Sequence, residues 1–189
     1  MPARRMTFFM RELYHLRVTD PHFDLAPSAW VQRWAPLIRP GGEVLDVAAG
    51  AGRHSRLLAR LGFEVDAVDR DSSLFADPPA NVKVLQADIE EGPWPFAGRR
   101  FDAIVVTNYL HRPLLPVLAG SLQAGGVLIY ETFAKGNEKF GKPSNPAFLL
   151  LPGELLEAVR GKLTVLAFED LVVSDPRPAA VQRLCARRE

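Results

Sequence analysis

Three features of the sequence predict an α/β fold: a seven-stranded, mostly parallel sheet with helices on both faces and a C-terminal antiparallel hairpin. Short apolar runs alternate with helical patterns and turns through the middle of the chain, the mark of crossover connections between parallel strands. The last two runs, 163–168 and 181–186, are joined by Ser174-Asp175-Pro176-Arg177-Pro178 with no helical pattern between them, so they pair antiparallel. The length of 189 residues suits one domain over 1–189. A chain of that size buries roughly 70% of its unfolded surface and needs no metal or disulfide to fold.

Taken in order, residues 5–17 place Met6, Phe9, Met10, Leu13 and Leu16 at helical spacing, predicting an amphipathic helix. It forms an N-terminal appendage over 1–27, closed by the turn signals Asp20-Pro21 and Ala26-Pro27. Ser28 then caps a second helix with Trp30, Val31, Trp34 and Leu37 on one side, ended by Pro40-Gly41-Gly42. The first strand is 43–48 (EVLDVA). A helix over 53–61, with Leu57, Leu58 and Leu61 inward, is closed by Gly62. Strands follow at 64–68, 81–87 and 101–107, a helix at 114–119 and a fifth strand at 126–130. The connections between the second and fourth strands are too short and irregular to read as clear helices. Residues 133–151 have little periodicity and hold Gly136, Gly141, Pro143 and Pro146. A loop beyond about 15 residues in a compact domain is commonly functional, and this one is expected on the substrate side.

Composition narrows the function classes. A net charge of +1 with 48% hydrophobic residues excludes bulk disorder and argues against a dedicated nucleic-acid binder. The single cysteine, Cys185, leaves no internal disulfide and no cysteine-rich zinc site, so no metal is expected and a reducing, cytoplasmic setting fits. Arg11 and Glu12 interrupt any signal-peptide core, and prolines and glycines break the longest uncharged run, 113–130, so no membrane partner is expected.

The chemistry concentrates in Asp46-Val47-Ala48-Ala49-Gly50-Ala51-Gly52-Arg53-His54-Ser55, which runs from strand through a glycine turn into a helix. Gly50 and Gly52 let backbone pass close to a ligand, and the helix start offers unpaired N–H groups. Ligands of open α/β sheets sit beyond the carboxyl ends of the strands, where strand order reverses. Asp69 ends the second strand, where a carboxylate accepts from two ribose hydroxyls, with Arg70 beside it; an ordinary turn cap is the plainer role. Asp88 follows the third strand and suits an adenine amino group, with Ile89 against the ring, or again a local cap. Asp46 either meets a ligand ammonium, directly or through water, or braces the turn. A dinucleotide fingerprint needs a third glycine where Ser55 stands, which disfavours NAD(P).

The series Asp46, Ala48, Gly50, Gly52, with acids closing the next two strands, resembles the class I S-adenosylmethionine-dependent methyltransferases. Ala48 stands where that family usually has its first glycine. The resemblance runs from about residue 28 to the C-terminus and implies a Rossmann-like sheet of order 3-2-1-4-5-7-6. It also implies S-adenosylmethionine as cofactor, held by Asp46, Ala48, Gly50, Gly52, Asp69, Arg70, Asp88, Ile89 and Asn108. The Gly-x-Gly-Arg-His turn and the Ala67-Val68-Asp69 strand end are similar to the small bacterial tellurite-resistance (TehB-like) methyltransferases.

Transfer of an activated methyl mainly requires alignment and exclusion of water. A thiol or chalcogen oxyanion needs little base catalysis, whereas a hydroxyl or protonated amine needs a base. Asn108-Tyr109-Leu110-His111 follows the fourth strand; it is not the Asn-Pro-Pro-Tyr type of many amino-group methylators. His111 is the base candidate and Tyr109 its neighbour in the pocket. Arg53, His54, Tyr130, Glu131 and Lys142 are candidate substrate contacts. For Arg53 and His54 a surface role, and for the tyrosines core packing, are the alternatives. The expected activity is methylation of a small molecule by a monomer or homodimer. RNA or protein methylation, or cofactor binding without catalysis, are the rival readings.

Overall fold

The computed structural model describes residues 26–189; the helix expected over 5–17 and most of the 1–27 appendage lie outside the described residues. Helix α1 (Ala29–Trp34) is capped by the Ser28 hydroxyl, which accepts from the Trp30 and Val31 amides, as its sequence predicts. It does not continue as α-helix to Leu37. Pro36 allows a 3₁₀ turn at Ala35–Leu37 instead, and Leu37 is 37% exposed rather than packed.

Then come β1 (Glu43–Val47), α2 (Arg53–Arg60), β2 (Glu64–Asp69), β3 (Val82–Gln86) and β4 (Phe101–Thr107). They are followed by α3 (Leu115–Gly120), β5 (Leu122–Phe133), α4 (Glu154–Val159), β6 (Thr164–Val173) and β7 (Ala179–Arg187). All seven strands form one sheet in the order β3-β2-β1-β4-β5-β7-β6. The first five strands are parallel, and β7 runs antiparallel between β5 and β6, so the expected hairpin and order are both present.

Strand alternation sorts the core into two layers. Leu45, Val47, Ile104, Val106, Leu128, Tyr130 and Leu184 face the layer with α3 and α4. Val44, Val65, Ala67, Ala103, Val105, Val127, Ile129 and Cys185 face α1 and α2. Each apolar run thus has one buried set per face, as a sheet covered on both sides demands. Asp46 and Glu131 share the α1–α2 side of their strands.

Three expectations need correction. Leu61 is 52% exposed and Leu57 half-buried, because α2 ends at Arg60 and Leu58 with Ala59 fills the inner stripe. Helix α4 has no counterpart in the sequence reading. It is short, and only Leu155 and Val159 are buried along it, too few to declare a period. Residues 133–151 are not structureless. A bridge pairs Ala134 with Leu150, and 3₁₀ turns occupy Asn137–Lys139 and Pro146–Phe148. Among the described residues no helix is long and apolar enough to cross a membrane, and no group of three His, Cys, Asp or Glu side chains is placed to hold a metal.

Candidate functional site

Strand order reverses between β1 and β4, which lie side by side with Asp46 opposite Val105. The chain leaves β1 through a tight turn of left-handed residues: Ala48 at φ 55°, Gly50 at 57° and Gly52 at 79°. Ala48 therefore occupies a conformation that costs an L-residue about 1–2 kcal/mol and that glycine takes freely. The two glycines differ in what surrounds them. A Cβ on Gly50 would meet nothing within 4 Å, whereas one on Gly52 would lie 2.2 Å from the ring of Phe75. Gly52 is needed for packing, and Gly50 keeps open space.

Asp69, 3% exposed, ends β2 and turns back on this loop. Its Oδ2 accepts the Gly50 amide at 2.8 Å and its Oδ1 accepts the Asp71 amide at 3.0 Å. Asp88 accepts the amides of Glu90 and Glu91 on Oδ1, with its Oδ2 3.9 Å from Arg70; these amides lead the causes that hold its carboxyl below the usual range. His111 also lies near enough to contribute to that lowering. Ala48, Asp69, Arg70, Asp88, Ile89, Glu90 and Tyr109 together line a shallow cleft at the carboxyl ends of β1–β4. A second hollow opens at the opposite edge of the sheet, where Arg99 already pairs with Glu43 and Asp66. The strand-order rule selects the first.

The cleft gathers most of the predicted cofactor residues, and adds Glu90, which sequence alone gave no reason to choose. Asp46 is not on its wall. It is 1% exposed and accepts the Ser55 hydroxyl at 2.6 Å, bracing the glycine turn against the first turn of α2. Burial pushes its carboxyl up to about 6, against which the Ser55 hydrogen bond works. Asn108 sits at the end of β4 in the left-handed region, φ 53°, with its amide donating to Glu131 O at 2.9 Å.

The predicted catalytic and substrate residues separate. The Tyr109 hydroxyl is buried against the cleft, with Glu90 the side chain that acts on it most strongly among the described residues. Burial, reinforced by the Glu90 charge, raises its pKa far above the physiological range, which keeps it a neutral phenol. Tyr130 is 1% exposed in the core, its hydroxyl donating to Tyr109 O at 2.9 Å; it braces the post-β4 loop and is not a pocket wall. Glu131 is paired with Arg183, which also reaches Glu169 at 3.2 Å. Arg53 donates to Ala26 O, and Lys142 is exposed on the segment after β5.

His54 is neither on the surface nor on the cleft wall. It is 2% exposed in the first turn of α2. Its Nε2 accepts the Ser28 amide at 3.0 Å, and its Nδ1 lies 3.1 Å from the Thr107 hydroxyl. An amide can only donate, so Nε2 carries the lone pair and the neutral ring holds its proton on Nδ1, aimed at Thr107 Oγ1. Burial pushes its pKa down to about 3, with Arg53 adding to the shift. His54 thus ties the cap of α1 to the end of β4. A Gly-x-Gly-Arg-His string alone gives no sign of partners that distant.

Comparison with known proteins agrees with this geometry. Residues 44–124 match the family described as Methyltransferase domain, a stretch that holds β1 to β4 and the whole cleft. The chain is 30% identical over 140 residues to the ubiquinone/menaquinone biosynthesis C-methyltransferase UbiE of Ectopseudomonas mendocina, covering 63% of this chain and 54% of that protein. It therefore spans little more than half the length of that relative. TehB of Haemophilus influenzae superposes with a TM-score of 0.70 at 19% identity, over 86% of this chain and 63% of that one. A TehB-like S-adenosylmethionine-dependent methyltransferase of Corynebacterium glutamicum superposes at 0.61 and 16% identity, over 96% of both chains. The fold is that of the class I S-adenosylmethionine-dependent methyltransferases, with TehB among its neighbours.

Proposed function

We propose that this chain, whose residues 44–124 match a methyltransferase domain, transfers a methyl group from S-adenosylmethionine to a small-molecule acceptor, a thiol or chalcogen oxyanion. The observation that carries the reading is the joining of Asp69, on the cleft wall, to the Gly50 amide, which brings the second-strand carboxylate and the glycine turn side by side. The cleft fits the nucleoside end of that cofactor. Asp69 accepts ribose hydroxyls, Asp88 and Ile89 border the base, and the Tyr109 phenol closes the wall beside Glu90. Gly50 leaves room for backbone approach. Asp46, held by Ser55, shapes the turn beneath the amino-acid end. The cofactor supplies a methyl already activated on a sulfonium.

The chain's own residues then align and shield. Asn108 and His111 stand at the end of β4, where the acceptor must approach. His111 is the one group of this loop suited to take a proton from a thiol before attack. Tyr109, fixed as a phenol, does not compete for that role. The single buried Cys185, its thiol pushed up to about 12 by burial, is chemically quiet and fits a cytoplasmic enzyme. Incubation with methyl-labelled S-adenosylmethionine and a panel of thiols, selenite, tellurite, phenols and total RNA tests the reading. Label in the thiols or the chalcogen oxyanions supports it. Label in RNA alone, or in nothing, contradicts it.

A further inference from the structure

The segment after β5 is a braced strap. Its two ends are joined by the Lys135 amide on Leu150 O at 2.8 Å and the Leu150 amide on Phe133 O at 3.0 Å. Asn137, 2% exposed, fastens its middle: its Nδ2 donates to Pro143 O and its Oδ1 accepts the Ala180 amide. Arg112, next to His111, donates to Ala147 O and Leu149 O and pairs bidentately with Glu154. Arg112 thus fastens the strap to the post-β4 loop, which also carries Tyr109 of the cleft wall.

That rigid base displays an unusual surface. Lys135, Lys139 and Lys142 are exposed, and so are Phe140 at 43% and Phe148 at 42%. The single acid of the strap, Glu138, is turned onto the Gly136 amide at 2.8 Å. Three lysines against one acid stand out in a chain whose net charge is only +1. Arg177 adds a further cation beside them, its guanidinium donating to Lys142 O at 3.4 Å. The strap thus carries two exposed phenyl rings among its lysines.

We propose that the strap over 134–150 recognises the acceptor, and that it selects an anion carrying an aromatic ring, such as an aryl thiol bearing a carboxylate. The lysines meet the carboxylate and Phe140 or Phe148 packs on the ring. This rests on the methyltransferase reading, and it narrows the acceptor from a bare oxyanion to an anionic aryl thiol.

Calorimetric titration with 4-mercaptobenzoate, thiophenol and mercaptoacetate, on the free protein and on protein saturated with S-adenosylhomocysteine, tests it. The expected order places 4-mercaptobenzoate at least tenfold tighter than either of the others. K135E/K139E/K142E should lose that preference at least tenfold while its affinity for S-adenosylhomocysteine stays within twofold. F140S/F148S should weaken 4-mercaptobenzoate and leave mercaptoacetate unchanged. All substituted side chains are exposed, and circular dichroism checks that the variants fold. Equal or absent binding of the three thiols, an unaffected triple variant, or preferential salt-sensitive binding of a single-stranded RNA oligonucleotide overturns the proposal. Failure of S-adenosylhomocysteine to bind overturns the cofactor reading instead, and the titrations on free protein still judge the strap.

Discussion

Asp69 Oδ2 accepts the Gly50 amide at 2.8 Å, so the carboxylate that ends one strand fixes the turn that leaves its neighbour. This bond joins two parts of the motif that are separate in sequence and makes the cleft wall a single unit. Its consequences differ for the two glycines of the turn.

Gly52→Ala is expected to damage the fold, and Gly50→Ala the binding. At Gly52 the new methyl would lie 2.2 Å from Phe75, at φ 79°. Overpacking and left-handed strain together should cost about 2–4 kcal/mol, read in urea denaturation. At Gly50 only the strain applies, about 1–2 kcal/mol. There S-adenosylmethionine affinity should fall at least tenfold, because the methyl enters space kept for the ligand. Equal stability losses with unchanged affinity would contradict the assignment.

His54→Ala should destabilise the protein by about 2–4 kcal/mol without abolishing cofactor binding. The Ser28 amide and the Thr107 hydroxyl both lose their buried partner, and a cavity opens. A loss under about 0.5 kcal/mol in chemical denaturation would show that the bridge is dispensable.

His54 and Asp46 should contribute to the acid response of the fold in opposition, beside the lowered carboxyls of Asp88, Asp102 and Glu154. His54 has its pKa depressed from 6.5 to about 3, so below pH 6.5 the unfolded chain holds the extra proton. Its share of stability therefore falls as pH drops from 6.5 toward 3, by about 1.4 kcal/mol per pH unit. Asp46 is raised from 3.8 to about 6, so between those values the folded chain holds the extra proton. Its share is complete below 3.8 and is lost as pH rises through 6. Between pH 6 and 4 the two offset each other. Asp46→Asn, which keeps an acceptor for Ser55, should lose stability over that interval more steeply than the native protein, by about 1.4 kcal/mol per unit. His54→Gln should lose it less steeply. Parallel curves for all three proteins would refute the pairing.

How much of this was legible beforehand depended on the range of the interactions involved. The sheet and the terminal hairpin were readable because each strand is a compact apolar run and each break a turn signal; the strand order came from the family resemblance carried by the glycine turn and its acids. The placing of Asp69 and Asp88 at one cleft was readable because they follow strand ends in register, whereas Asp46 turns from it to Ser55. What escaped was set by contacts distant in sequence. His54 finds Ser28 and Thr107, and Glu131 finds Arg183, only once the sheet has formed. Tyr130 looks like a pocket residue by position, but alternation along β5 sends it into the core beside Leu128. Leu61 looks inward by spacing, but the helix stops before it.

The claim at the centre is that Asp69 and the Gly50 turn hold the sugar of S-adenosylmethionine. Calorimetric titration of that cofactor into the native protein and into Asp69→Ala measures it directly. Binding by the native protein, weakened in the variant by about 1.5–3 kcal/mol, is the predicted result. Equal affinity in the two proteins, or preference for NADH over S-adenosylmethionine, would contradict it.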